Sequence, residues 1–291
     1  MQTQEIRLDP TPPRHVQLRA RDGFTLHADL YEPTAPRWAV VIAPAMAVHR
    51  SYYAAFASYL AEHGAVALVP DYRGVGDSRP PSLRGMHARL RDWAELDLEG
   101  ALDYLAERHP GLPLRCLGHS IGGQLIGLLD AGRLDRAVLV ASQSGYHGHW
   151  PWPQRARMLA LWYVVVPGLS HALGYLPIGR ITGSGEDVPK GVGLDWTRWG
   201  RSERYLFSEA DLPANNSYAH FTGKLRSYAI LDDELAPPAS VAWLCDRFTH
   251  AQRELRRVSP ADLGVSKIGH FAPFRPKFQA TLWEQWRAFL A

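Results

Sequence analysis

The sequence predicts an α/β fold: a mostly parallel, doubly wound sheet with helices on both faces and a helical cap inserted late in the chain. Three observations carry that prediction. Short apolar runs recur at Ala39 to Ile42, Ala65 to Val69, Leu114 to Leu117, Ala137 to Val140 and Leu225 to Leu231, and near-continuous runs of that length suit strands buried on both faces of a parallel sheet. Helical periodicity fills the intervals, which is the alternation such a sheet requires. The alternation then breaks between Gly145 and His220, where five of the ten tryptophans fall (Trp150, Trp152, Trp162, Trp196, Trp199). An aromatic insertion between two strands has the composition of a cap over a pocket, so the core is expected at 1–144 and 221–291 and the cap at 145–220.

Taken in order, the chain opens on two alternating runs, Val16 to Arg19 and Phe24 to Leu30, flanking Arg21-Asp22-Gly23, the signature of a hairpin. Trp93, Leu96, Ala101, Tyr104 and Leu105 share one helical face that ends before His109-Pro110-Gly111, a stop signal. Glu254 to Val258 reads as the last strand, and Phe278, Leu282, Trp286 and Phe289 recur at helical steps in the closing segment. Inside the cap, the apolar run Met158 to Val166 is expected to end at Pro167-Gly168, too short to cross a bilayer.

Composition excludes several classes. With 291 residues the chain suits one large domain carrying an insertion. A net charge of +3, with arginines scattered among acidic residues, lacks the footprint of a nucleic-acid binder. Cys116 and Cys245 lie far apart in segments read as a strand and a helix, which suits reduced core thiols. Met1 to Pro13 contains Glu5, Asp9 and three prolines where a signal peptide needs an unbroken apolar stretch, so a cytoplasmic location is expected. His147-x-His149 has no cluster of ligands around it, so no metal is expected, and without a Gly-rich nucleotide fingerprint no cofactor is expected either. Membrane contact is the lesser reading, through an interfacial role of Met158 to Val166 that could accompany catalysis, and the oligomeric state stays open.

The chemistry centres on Gly118-His119-Ser120-Ile121-Gly122, which follows the run Leu114 to Leu117 and precedes a helical stretch expected to continue through Leu129. A G-x-S-x-G pattern in this strand–turn–helix setting is a nucleophile elbow. The serine sits on a strained turn, and the glycines let strand and helix approach without a Cβ clash. A serine hydroxyl needs a base within hydrogen-bond reach and a third group to orient that base; in elbow hydrolases these follow along the chain as acid, then histidine. Asp232-Asp233-Glu234 come directly after the apolar run ending at Leu231, where strand ends present functional groups. His270 follows the last strand and precedes the closing helix.

At these residues the chain resembles α/β-hydrolases of the serine aminopeptidase-like branch, and within it a bacterial group of hydrolases without an assigned substrate. The resemblance runs from Asp22-Gly23 to the closing helix and rests on Asp71-Tyr72-Arg73-Gly74-Val75-Gly76-Asp77-Ser78, the elbow, Asp232 to Pro237 and Gly269-His270-Phe271. It implies that the acid stands four residues before a proline, which from Pro237 selects Asp233, with Asp232 the alternative. It also implies an oxyanion hole from the backbone N–H of Ile121 and from the loop Ala43-Pro44-Ala45-Met46, where relatives carry His-Gly. Pro44 has no N–H to donate, so Ala45 is the expected donor and Met46 the alternative. Trp150, Trp152 and Trp162 in the cap and His119 beside the nucleophile are expected to line the substrate pocket, while Arg73, Asp77 and Ser78 are expected to brace the neighbouring loop. The implied activity is hydrolysis of a small carboxylic ester or related acyl compound through an acyl-enzyme, in a hydrophobic capped pocket. Thioester or amide cleavage on the same triad, or non-catalytic ligand binding, are the alternatives.

Overall fold

The computed structural model describes residues 12–183 and 185–291; most of the stretch read above against a signal peptide lies outside them. Ten strands are present among the described residues: β1 (Arg14–Arg19), β2 (Thr25–Tyr31), β3 (Trp38–Ala43), β4 (Ala65–Pro70), β5 (Leu114–His119), β6 (Arg136–Val140), β7 (Tyr175–Leu176), β8 (Val188–Pro189), β9 (Lys224–Ile230) and β10 (Gln252–Val258). Eight of them form one sheet in the order β1-β2-β4-β3-β5-β6-β9-β10, while β7 and β8 make a separate two-stranded ladder. The β1–β2 and β2–β4 pairs are antiparallel, and every other pair in the large sheet is parallel.

Burial follows the sequence pattern. Every residue of β3 and β4 is buried, because helices cover both faces and leave no polar side to alternate with. One core packs Leu26, Val41, Leu68, Trp93 and Leu139 on one side of the sheet; the other packs Val40, Ile42, Phe56, Val138, Tyr228 and Trp286. The last strand, β10, exposes Gln252, Arg253, Arg256 and Arg257, and charged side chains on an edge discourage pairing with another chain.

The strand order reverses at β3. The chain moves from β3 to β4 on one side and returns to β5 on the other, so the carboxyl ends of β3 and β5 lie next to each other, with Ala43 opposite Gly118. In open parallel sheets such a reversal opens a crevice beyond the strand ends. Here it sets Ala43-Pro44-Ala45-Met46 beside the elbow.

Two helices differ from expectation. The helix after the elbow ends at Ile126 rather than continuing to Leu129. Its downstream carbonyls are taken by another segment: Tyr218 donates from its hydroxyl to Gln124 O and from its N–H to Gly127 O, and Ser217 N–H donates to Leu129 O. In the insertion, Pro167-Gly168 does not stop the helix. A 20-residue helix runs from Gln154 to Leu173, long and apolar enough by length and composition to cross a membrane. Over the wide turn Leu161–Val165 the Val166 N–H donates to Leu161 O, and the Trp162 carbonyl, which Pro167 has no N–H to serve, accepts twice from Arg201. The helix closes at Gly174 in a left-handed conformation.

Candidate active site

The elbow is built by backbone approach. A Cβ on Gly118 would collide with the backbone of Gly122 and Gly123, and one on Gly122 with the carbonyl of Ala43. Only glycine lets β5 turn this sharply into the following helix while β3 passes alongside. Ser120 at the apex has φ 54° and ψ −118°, a left-handed conformation that costs a serine about 1–3 kcal/mol. Its N–H donates to Val140 O at 2.9 Å, and its carbonyl accepts from Gly123 and Gln124 N–H, so the turn is held from both sides.

The loops after β9 and β10 supply the partners, and they separate two adjacent carboxylates. Asp233 Oδ2 lies 2.6 Å from His270 Nδ1, while its Oδ1 accepts from the Leu235 and Ala236 N–H groups. Asp232 instead accepts the N–H of Ile268 and of Gly269, each at 2.9 Å, and so grips the loop that carries His270. Both Asp233 and His270 are buried. An ionised carboxylate only accepts, which puts the imidazole proton on Nδ1 and leaves Nε2 as a free base. Among the described residues no hydrogen bond joins Ser120 Oγ to the His270 ring, a contact that is often long in unliganded enzymes and tightens with substrate.

His119 does not line a pocket. It is fully buried; its Nε2 lies 3.0 Å from the His270 carbonyl and its Nδ1 lies 2.9 Å from the Tyr53 hydroxyl. A carbonyl cannot donate, so Nε2 carries the proton and Nδ1 accepts from Tyr53. Burial, reinforced by the neighbouring His270, drives the His119 pKa well below its ordinary value, which keeps the ring neutral. Burial likewise raises the Tyr53 phenol, despite the N–H it accepts from Ala45, so that group stays protonated.

That N–H corrects the expected oxyanion hole. Ala45 N–H is already committed to the Tyr53 hydroxyl at 2.8 Å, because the turn Arg50–Tyr53 tucks the phenol under the end of β3. Neither the Met46 N–H nor the Ile121 N–H has an acceptor among the described residues. Ile121 is the first residue of its helix, where the dipole favours negative charge. The loop carrying Met46 is fixed by Tyr72 OH to Pro44 O, Val48 N–H to Ala45 O and Glu186 N–H to Ala47 O. Neither Tyr53 nor Glu186 belongs to a motif, and no signal in the sequence marks them.

The three tryptophans proposed for the pocket have different surroundings. Trp150 is buried and donates its indole N–H to Glu234 O at 2.9 Å, tying the insertion to the loop of Asp233. Trp162 has no exposed surface; it bonds Gly145 O and packs edge-on against Trp196. Trp152 is 68% exposed and faces solvent. A cleft of about 400 Å³ beside Asp233 and His270 is lined by residues 232–235, Ser266, Lys267, Gly269 and His270, of which Leu235 exposes apolar surface.

Charge around the site is paired. Arg73 spans Asp97 and Asp22, and Ser78 joins Asp71 O to His27 N–H. His49, Asp71 and Asp77 lie close enough to hold a metal ion, but the Arg50 guanidinium already bridges Asp71, Asp77 and Asp29. That guanidinium supplies the charge a cation would bring, so the cluster is an ion-paired brace.

A strand–elbow–helix serine at the reversal point, with an Asp–His pair delivered by the last two strand loops, agrees with the comparisons to known proteins. The profile of the serine aminopeptidase S33 family matches residues 34–182, just over half the chain. The chain belongs to the serine aminopeptidase S33 family. The matched region of this S33 chain holds Met46, Ser120 and Ile121 but ends before Asp233 and His270, whose assignment rests on geometry. A monoacylglycerol lipase from Mycolicibacterium smegmatis (strain ATCC 700084 / mc(2)155) is 34% identical over 107 residues, a match spanning 36% of this chain and 36% of the lipase. Among solved structures, the α/β hydrolase GrgF from Penicillium sp. sh18 is similar at 20% identity and a TM-score of 0.60, covering 96% of this chain and 98% of GrgF. An esterase from Pyrococcus furiosus is similar at 14% identity and a TM-score of 0.60, covering 98% of this chain and 96% of the esterase. The fold is therefore that of the α/β-hydrolases.

Proposed function

We propose that this S33 protein is a serine hydrolase that cleaves carboxylic esters, with Ser120 as nucleophile, His270 as general base and Asp233 as the group that orients it. The observation that carries the reading is the 2.6 Å Asp233–His270 pair, whose histidine is held through its carbonyl by His119, the residue before a serine at φ 54°. Ser120 Oγ attacks the ester carbonyl carbon as His270 Nε2 takes its proton, and the oxyanion that forms is received by the N–H groups of Met46 and Ile121. Collapse breaks the bond to the alcohol, which leaves with the proton from His270. Water activated by the same nitrogen then hydrolyses the acyl-enzyme and regenerates the serine.

Residues 145–220 act as a cap anchored through Trp150. Exposed Leu235 in the cleft beside His270 favours substrates with a hydrophobic part, and the segmental likeness to a monoacylglycerol lipase supports an ester over an amide. The test is fluorophosphonate labelling followed by turnover of p-nitrophenyl esters of increasing chain length. Wild type should label and turn over, and a folded Ser120→Ala should do neither. Wild-type rates in the alanine variant would overturn the assignment.

A further inference from the structure

The insertion helix Gln154–Leu173 is apolar yet poorly covered: only 17% of its apolar window is buried. Trp162, Val166 and Ser170 form the buried stripe, pressed against the helix Lys190–Arg201, where a Cβ on Gly193 or Gly200 would meet Ser170 or Trp162. Arg201 donates twice to Trp162 O and lies 4.5 Å over the Tyr163 ring. The helix is thus pinned along one side and is not free to stand upright across a bilayer. Its opposite side exposes Arg157, Ala160, Val164, Gly168 and His171, spaced at the three- and four-residue steps of a single stripe. Tyr163 flanks the stripe, and Trp152 precedes it; they are 52% and 68% exposed, and Val164 is 66% exposed.

Charge identifies what could cover this face. From Gly145 to Gly185 the sequence contains no Asp or Glu, whereas Arg155, Arg157 and Arg180 fall within it. At the far end of the helix, exposed Arg84 donates to Leu173 O. The next acids along the chain point elsewhere, Glu186 to Gly76 N–H and Asp187 towards Arg79. A face on which Ala160, Val164 and Gly168 lie between Arg157 and His171, flanked by exposed tryptophan and tyrosine and free of acids in its own segment, has the make-up of a helix that lies in the headgroup region of an anionic membrane. A two-fold contact with a second copy would bring the same arginines face to face.

We propose that the outward face of Gln154–Leu173 docks the protein flat on an anionic lipid bilayer. The inference does not depend on the catalytic assignment, because its readout is binding. Full-length protein is sedimented with vesicles of phosphatidylcholine, with or without an equal part of phosphatidylglycerol, at low and high salt. Wild type should co-sediment with the anionic vesicles and be released by salt, and Val164→Asp should bind roughly tenfold or more weakly, as expected for an acid placed in an apolar interface. Because Val164 faces solvent, that variant should keep its circular dichroism spectrum and its rate on a soluble ester. Three results would overturn the proposal: wild type left in the supernatant with anionic vesicles at low salt, equal binding by Val164→Asp, or binding indifferent to lipid charge. A lipid-free dimer that Val164→Asp dissociates would assign the face to a second copy instead.

Discussion

His119 Nε2 donates to the backbone carbonyl of His270 across 3.0 Å of buried space. The residue before Ser120 therefore holds the main chain of His270, and through Tyr53 it reaches the Ala45 N–H at the end of β3. One neutral network ties together the elbow, the His270 loop and the loop of Ala45 and Met46.

Tyr53→Phe should destabilise the protein by about 2 kcal/mol, since it strands the Ala45 N–H and His119 Nδ1 without partners in a buried site. A lower urea midpoint with an unchanged slope would show this. An unaltered midpoint would mean that water replaces the phenol and that the network is not load-sharing.

The depressed pKa of His119 gives a pH dependence of known sign. The unfolded chain protonates this ring near pH 6.5, while the folded protein keeps it neutral. Its contribution is therefore complete above that pH and is lost as pH falls below it. Stability curves of wild type and His119→Gln should converge as the solution is made more acidic; parallel curves would exclude His119 as the source.

Asp233→Asn and Asp232→Asn should separate. The first disturbs the partner of His270 and should lower kcat by about 10³- to 10⁴-fold, the scale for loss of the orienting acid in such triads. The second weakens the grip on Ile268 and Gly269, so it should cost about 1–2 kcal/mol of stability with a much smaller loss of rate. Equal losses of kcat at matched stability would contradict this division.

Trp162→Ala should act on stability and leave substrate choice alone. The side chain is fully enclosed, and a large-to-small change of this kind costs about 3–5 kcal/mol. At a temperature where the variant stays folded, its ester chain-length profile should match wild type. A shifted profile would restore Trp162 as a pocket residue.

Arg50→Met should be among the most damaging single changes, at about 3–5 kcal/mol, because three carboxylates lose their shared cation. Adding Asp71→Asn to that variant should recover part of the loss. No recovery would mean that packing, rather than uncompensated charge, governs the site.

Local pattern determined much of this protein. Continuous apolar runs marked the central strands because both faces of the sheet are covered, and the glycines around Ser120 marked the elbow because steric room at a tight turn is a local requirement. Pro167 misled as a helix stop because the Trp162 carbonyl it leaves without an N–H is met by Arg201, a partner from a distant helix. Ala45 likewise looked free because nothing nearby in sequence shows that Tyr53, eight residues on, folds back onto its N–H.

The amino-acid sequence by itself determined the order of the core strands and helices, the elbow and the set of acid and base candidates, since each depends on residues within one element and its turns. The tertiary structure bears out the choice of Asp233 that the spacing to Pro237 implied, and it alone decided which N–H groups stay unpaired in the loop of Ala45 and Met46 and which face of the insertion helix is left uncovered. Those outcomes depend on where hydrogen-bond partners from distant segments arrive, as when Asp232 is drawn to the Ile268 and Gly269 N–H groups, and a buried polar group takes whichever partner the packing brings.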